Sequence, residues 1–329
     1  MRMTHPFIYS LCLAVVLASL TQAADPKVAF TDAKKAGIEF ELQGEYLGEI
    51  ESDGGKRPLG VQLIALGDGK FRGVGLHGGL PGAGWLRGDR THSADGKLED
   101  GIVRLATDDV AVELKDGKMS ILVGGQSIGV LKKVMRKSPT LGAKPPAGAL
   151  VLFDGTSVDA FDNGKLVDGK YLAASNVTTK KKFGDHSIHI EFRTPFMPTS
   201  RGQGRGNSGV YIQGRYEMQV LDSFGLEGKN NECGGIYSIS EPAVNMCFPP
   251  LSWQTYDFEF TAASYDDAGK KIKNARTTVK HNGVVIHDDI ELTHGTPGHR
   301  PEGPGPESLF LQDHHNPVVF RNIWVVEKK

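Results

Sequence analysis

Asn207-Ser-Gly-Val-Tyr-Ile-Gln-Gly-Arg-Tyr-Glu-Met-Gln-Val-Leu-Asp222 alternates apolar and polar side chains on either side of Gly214-Arg215. Two-residue alternation marks a half-buried strand, and a glycine-containing break between two such runs predicts a hairpin. Val210 and Ile212 point one way, Tyr211 and Gln213 the other. Beyond the turn, Met218 and Val220 share the apolar side, Glu217 and Gln219 the polar one. A phenol, a carboxylate and two amides therefore gather on one face of the hairpin. Solvent faces of strands usually carry Lys, Thr and Glu. This set suits a surface that hydrogen-bonds sugar hydroxyls.

Working outward, the 329 residues include 42 glycines, few helix-periodic segments and a formal net charge of -1. The composition predicts an all-β chain rich in turns. Near-neutral charge without a basic stripe excludes an electrostatic nucleic-acid partner.

The N-terminus reads as an export signal over residues 1–23: Arg2, an apolar stretch from Phe7 to Leu20, and a small-residue cleavage site at Thr21-Gln-Ala23. The apolar stretch is too short to predict a membrane span. Localisation is therefore expected to be periplasmic or extracellular. Cys233 and Cys247 would remain after cleavage; they read either as a disulfide, worth about 3 kcal/mol for that loop length, or as two buried thiols.

Residues 24–137 read as a small β-domain. Its expected strands lie at 44–48, 61–66, 102–105, 110–114, 119–123 and 128–131. Turns are expected at Gly67-Asp-Gly-Lys, Asp95-Gly-Lys and Asp116-Gly-Lys. A Pro/Gly linker, 138–148, separates it from the second part, 149–329. There, strands are expected at 187–193, 209–213, 216–221, 235–238, 255–261, 276–281, 284–287, 308–312 and 318–326, with His281-Asn-Gly283 opening a hairpin. So many evenly spaced strands predict an antiparallel jelly-roll sandwich.

Three groups of residues could carry chemistry. Glu217 and Asp222 flank Gln219, but an odd spacing sends Asp222 to the opposite face unless a bulge intervenes or the strand has ended. Asp222 could equally cap the strand end. Laminarinase-type retaining glycosidases carry acids at such spacing, and Gln219 in the middle position argues against that chemistry. Gln312-Asp-His314 and Arg321-Asn-Ile-Trp324 add donors and a base; an inward Arg321 would need an anionic partner, for which Glu217 or Asp222 would serve. His314-His315, with His294 and His299, match no standard zinc spacing. Gly202-Gln-Gly-Arg-Gly206, with no βαβ unit around it, reads as a flexible rim loop.

Leu152-Phe-Asp-Gly155, the 207–222 hairpin, Cys233-Gly-Gly-Ile-Tyr237, Trp253-Gln-Thr-Tyr-Asp257, His281-Asn-Gly283, Leu311-Gln-Asp-His314 and Arg321-Asn-Ile-Trp324 together resemble the 3-keto-disaccharide hydrolase family, from about Ala149 onward. The resemblance implies a concanavalin-like jelly roll cleaving 3-keto-glycosides of oxidised disaccharides. The implied route is elimination across C1–C2 followed by hydration. It implies Glu217 as base or acid, His314 as its partner, Arg321 as oxyanion stabiliser and Asp222 as orienter or second carboxylate. Asn207, Tyr211, Gln213 and Gln219 would hold sugar hydroxyls, with Gln312 beside them. A divalent cation on Glu217, Asp222 and His314 is also within its implications. The alternatives are a lectin-like binding module and a conventional laminarinase-like glycosidase.

Overall fold

The computed structural model describes residues 28–328; the expected export signal lies outside them. The fold is nearly all-β, its strands joined by turns and long loops. Among the described residues the one α-helix, α1 (Gly37–Leu42), follows a 3-10 turn at Ala33–Lys35.

Eight strands close a barrel: β1 (Gly44–Ser52), β2 (Gly55–Gly67), β3 (Lys70–His77), β4 (Thr91–Glu99), β5 (Ile102–Ala106), β6 (Val110–Lys115), β7 (Lys118–Val123) and β8 (Gln126–Val134). Each pairs antiparallel with its chain neighbour, and β1 with β8 closes the ring. Asp68-Gly69 and Asp116-Gly117 supply consecutive positive φ values, as two-residue hairpin turns require. The expected turn at Asp95-Gly-Lys does not form. Those residues lie inside β4, and the chain reverses at Asp100-Gly101 instead. Gly96 answers a different need: a Cβ there would stand 1.8 Å from the Arg104 carbonyl oxygen, so glycine permits the close approach of β4 and β5.

The second part is a two-sheet sandwich. Its strands are β9 (Leu150–Phe153), β10 (Phe161–Asp162), β11 (Leu166–Val167), β12 (Tyr171–Ala173), β13 (Val177–Phe183), β14 (His186–Arg193), β15 (Ser208–Ile212), β16 (Tyr216–Val220), β17 (Gln254–Thr261), β18 (Ala275–His281), β19 (Val284–Leu292), β20 (Glu307–Leu311) and β21 (Val319–Glu327). The larger sheet runs β11-β12-β21-β14-β17-β18-β19, with β9 beside β21. The smaller runs β10-β13-β20-β15-β16. Ile188, Ile190, Phe192, Tyr256, Phe258, Phe320 and Ile323 meet Val210, Ile212, Met218, Val220, Leu309 and Leu311 between the sheets. The expected strand at 235–238 is absent; Ile236 makes only single bridges to Met218 and Ser240.

The 138–148 segment is pinned to the outer face of the larger sheet. Ser138 bonds Thr255 at 2.6 Å, Thr140 donates to Asp257 at 2.7 Å, and the Ala143 carbonyl accepts from Asn322 and Trp324. Barrel and sandwich also touch directly. Arg87 donates to the Gly228 and Pro242 carbonyls, and Arg205 donates to the Ala65 carbonyl.

Cys233 and Cys247 are free and fully buried, which settles the two readings in favour of thiols rather than a disulfide. The Cys233 sulfur lies 3.2 Å from the Tyr256 hydroxyl.

Gly96→Ala is expected to destabilise the chain by about 2 kcal/mol or more, because the obstacle is backbone that cannot rotate away. Gly184, where an added Cβ meets nothing within 4 Å, is the control; Gly184→Ala should be neutral within about 0.5 kcal/mol. Denaturant unfolding of the two variants compares them.

Candidate active site

In β15 and β16 the register sets Tyr211 across from Glu217 and Gly209 across from Gln219. Val210, Ile212, Met218 and Val220 enter the core as the alternation predicts. Tyr211, Glu217 and Gln219 take the other face, which loops overlie. Gln203, Tyr237, Pro297, Gly298, Gln312 and His314 complete a cleft of about 250 Å³.

Glu217, which lines this cleft, is only 4% exposed. Gly209 leaves it room: a Cβ there would stand 2.4 Å from Glu217 Oε1. The Tyr211 hydroxyl donates to Glu217 Oε2 at 2.8 Å and accepts from Gln312 Nε2 at 3.2 Å. A Cβ at Gly298 would meet that same hydroxyl at 2.6 Å, so the covering loop closes here only over a glycine. Burial pushes the Glu217 carboxyl up to about 7, against the smaller downward pull of the Tyr211 bond. Burial and the neighbouring Glu217 charge also push the Tyr211 phenol up. A carboxyl poised near neutrality can exchange a proton in either direction.

The amides form a second line. Gln219 Nε2 donates to Asn207 Oδ1 at 2.7 Å, and Asn207 Nδ2 donates to Gln203 Oε1 at 2.9 Å. Gln312 Oε1 is buried and has no partner among the described residues, so it is free to accept from a bound hydroxyl. His314 stands exposed at the mouth.

Three of the expected residues lie elsewhere. Gln213 falls in the hairpin turn at φ 52°, and its amide donates to the Phe183 carbonyl at 2.8 Å. The left-handed turn ends the strand one residue early and takes Gln213 off the Tyr211 face. Asp222 follows the end of β16 and accepts from Arg205 Nε at 2.7 Å. It is buried with that guanidinium outside the cleft lining.

Arg321 belongs to the other sheet. Its Nε donates to Glu191 at 2.6 Å, and its guanidinium stacks 4.0 Å from the Trp253 ring centroid. Asn322, at φ 45°, interrupts the alternation of β21, so Ile323 enters the core while Arg321 stays outside. Its anionic partner is therefore Glu191, not Glu217 or Asp222. Although burial works the other way, bonds from His189, Asn322, the Gly142 backbone and Arg321 hold Glu191 at about 2.

With Asp222 committed to Arg205, the Glu217, Asp222 and His314 set does not assemble. Among the described residues no three His, Cys, Asp or Glu side chains gather to hold a metal ion. Tyr237 and Gln203 are cleft residues that the strand pattern missed. Tyr237 closes the Cys233–Tyr237 motif, which could have signalled it, whereas Gln203 sits on the glycine-rich rim loop and had no such signal.

A concanavalin-like sandwich carrying a polar cleft around one buried carboxyl defines a carbohydrate-active enzyme, and the comparisons agree. The chain belongs to the family described as the 3-keto-alpha-glucoside-1,2-lyase-like domain, which matches residues 148–326, just over half of it. A solved structure from Parabacteroides distasonis ATCC 8503, provisionally described as a glycosyl hydrolase, is 32% identical with a TM-score of 0.51. The match covers 56% of this chain and 85% of that one. Another from that organism, described likewise, is 20% identical with a TM-score of 0.40, covering 55% of this chain and 99% of its own. No curated protein matches.

Tyr211→Phe removes the only hydroxyl donating to Glu217 among the described residues, so the carboxyl should titrate above its value of about 7. Carbon-13 NMR of labelled glutamate reads the shift. The group also has a stability signature. Folded Glu217 keeps a proton that the unfolded chain loses above about 4.5, so its contribution should fall as pH rises from there to about 7. Glu217→Gln should flatten that part of the stability curve.

Proposed function

We propose that this chain cleaves 3-keto-glycosides, with Glu217 as the base. The observation that carries the reading is that Glu217 is the only carboxylate lining the cleft among the described residues. A conventional retaining or inverting glycosidase needs two carboxyl groups across the scissile bond. A 3-keto sugar does not, because the ketone acidifies the C2 hydrogen enough for one modest base.

In this route Glu217 takes the C2 proton, and the C2–H electron pair moves into an enolate on the C3 oxygen. Gln312 and Tyr211, hydrogen-bonded to each other in the cleft, would supply the donors to that oxygen. The enolate collapses, the C1–C2 double bond forms, and the C1 oxygen leaves with a proton from His314 at the mouth. Water then adds at C1, giving its proton back to His314, and the proton held on Glu217 returns to C2. Overall one water is consumed, with no oxidant or reductant. Gly209 serves the base by leaving its carboxylate unobstructed, and Asn207 and Gln219 hold the cleft wall.

We further propose export after cleavage near Ala23, supported by the N-terminal charge and hydropathy pattern. Mass spectrometry of the secreted N-terminus would test it.

The catalytic test is turnover of 3-keto-trehalose or 3-keto-sucrose. Wild type should release the free sugars, with kcat/KM rising as pH passes through about 7 while the Glu217 base loses its proton. Glu217→Gln should lose about a thousandfold or more in kcat. A wild-type protein that binds the 3-keto sugar but leaves it intact would favour the lectin-like reading. Hydrolysis of the unoxidised disaccharide would favour conventional glycosidase chemistry.

A further inference from the structure

The barrel is open inside, and its interior is built to stay so. Interior positions of an eight-stranded barrel either fill with side chains or enclose one small ligand. Here one end is packed and the other is not. Tyr46, Leu63, Phe71, Leu114, Met119 and Leu131 fill the end beside α1, where Phe40 and Phe196 join them. Toward the other end lies a cavity of about 290 Å³, walled by Val61, Leu105, Val112, Ile121 and Ile128 among others. Close packing is the rule in protein interiors, so a space of this size within a closed barrel asks for an occupant.

Two glycines keep it open. Gly73 and Gly75 occupy successive inward positions of β3, where the alternation would otherwise place large side chains. Gly75 has no steric need to be glycine: a Cβ there would meet only the His92 carbonyl oxygen, at 3.6 Å, and its φ is ordinary. Its effect is to leave space.

The mouth is polar on one side. His77 and His92, with ring centroids 5.3 Å apart, stand at the adjoining ends of β3 and β4, and Arg90 lies beside them. Arg90 has no ion pair among the described residues. Asp109 lines the mouth from the β5–β6 turn, more than salt-bridge distance from that guanidinium. An apolar chamber beneath a guanidinium and two imidazoles matches a molecule with an apolar body and an anionic head.

We propose that the N-terminal barrel is a second ligand site, taking a small monocarboxylate whose apolar chain or ring fills the chamber and whose carboxylate meets Arg90, His77 and His92. The site is independent of the sandwich cleft and of the chemistry assigned there.

Calorimetry of the chain from residue 24 onward with sodium decanoate below its micelle concentration, and with 1-decanol, tests the assignment. Decanoate should bind one saturable site and should bind more tightly than decanol. Gly75→Phe fills the chamber and should weaken decanoate by about tenfold or more. Ile128→Trp, on another wall of the mouth, repeats the test if Gly75→Phe fails to fold. Arg90→Glu should weaken decanoate by about threefold, the scale of an exposed rim charge, and leave decanol unchanged. Glu217→Gln should leave decanoate binding intact. The ligand site is overturned if decanoate shows no saturable binding, if binding survives both filling variants, or if Glu217→Gln abolishes it. Equal affinities for decanoate and decanol would overturn the carboxylate assignment.

Discussion

Desolvation of one carboxyl governs the sandwich. Glu217 is 4% exposed, and a single phenolic hydroxyl donates to it. An unpaired carboxylate at such depth is expensive to ionise, so the group titrates near 7 rather than near 4.5. The surroundings follow from that constraint. Gly209 gives the carboxylate room, Gly298 lets the covering loop close over Tyr211, and Gln312 orients the phenol. Replacing the phenol by a cation would restore an ordinary carboxylate and end its usefulness as a base near neutral pH. The contrast with Glu191 makes the point. That carboxyl is more buried still, yet bonds from four groups hold it at about 2.

The barrel bears on the cleft through the rim loop. Arg205 donates to the Ala65 carbonyl of β2 and to Asp222, while the Arg205 carbonyl accepts from the Asp222 backbone. One guanidinium thus ties the barrel to the end of β16. Gln203, two residues earlier, closes the chain of amides running through Asn207 to Gln219. A buried ion pair of this kind contributes little net stability, but it holds the rim in one position relative to the hairpin.

Much of the architecture was legible along the chain because strand periodicity is local. Strands with regular alternation, such as 110–114 and 276–281, formed within a residue or two of expectation. Two barrel strands escaped for physical reasons. Lys70–His77 places glycine at two inward positions, and Thr91–Glu99 offers only Ala94 and Leu98 as inward apolar residues. Neither shows the alternation that marks a strand, because one lines a chamber and the other closes a tight approach at Gly96. Site residues divided in the same way. Tyr211, Glu217 and Gln219 share a face because two-residue spacing dictates it. Gln213 and Arg321 left their expected places at single positive-φ residues.

By itself the sequence determined the all-β class, the hairpin, its polar face and the family, since each depends on spacing along one or two strands. Only the tertiary structure decided which other groups reach that face. Arg321 faces Glu191 because Asn322 shifts the alternation by one residue. Asp222 faces Arg205 because the strand ends at Val220. Burial of Glu217 was likewise beyond local reading, because the loop that covers it arrives from 297–299, far along the chain. Convergence is set by long-range pairing and by single backbone kinks, and spacing carries no record of either.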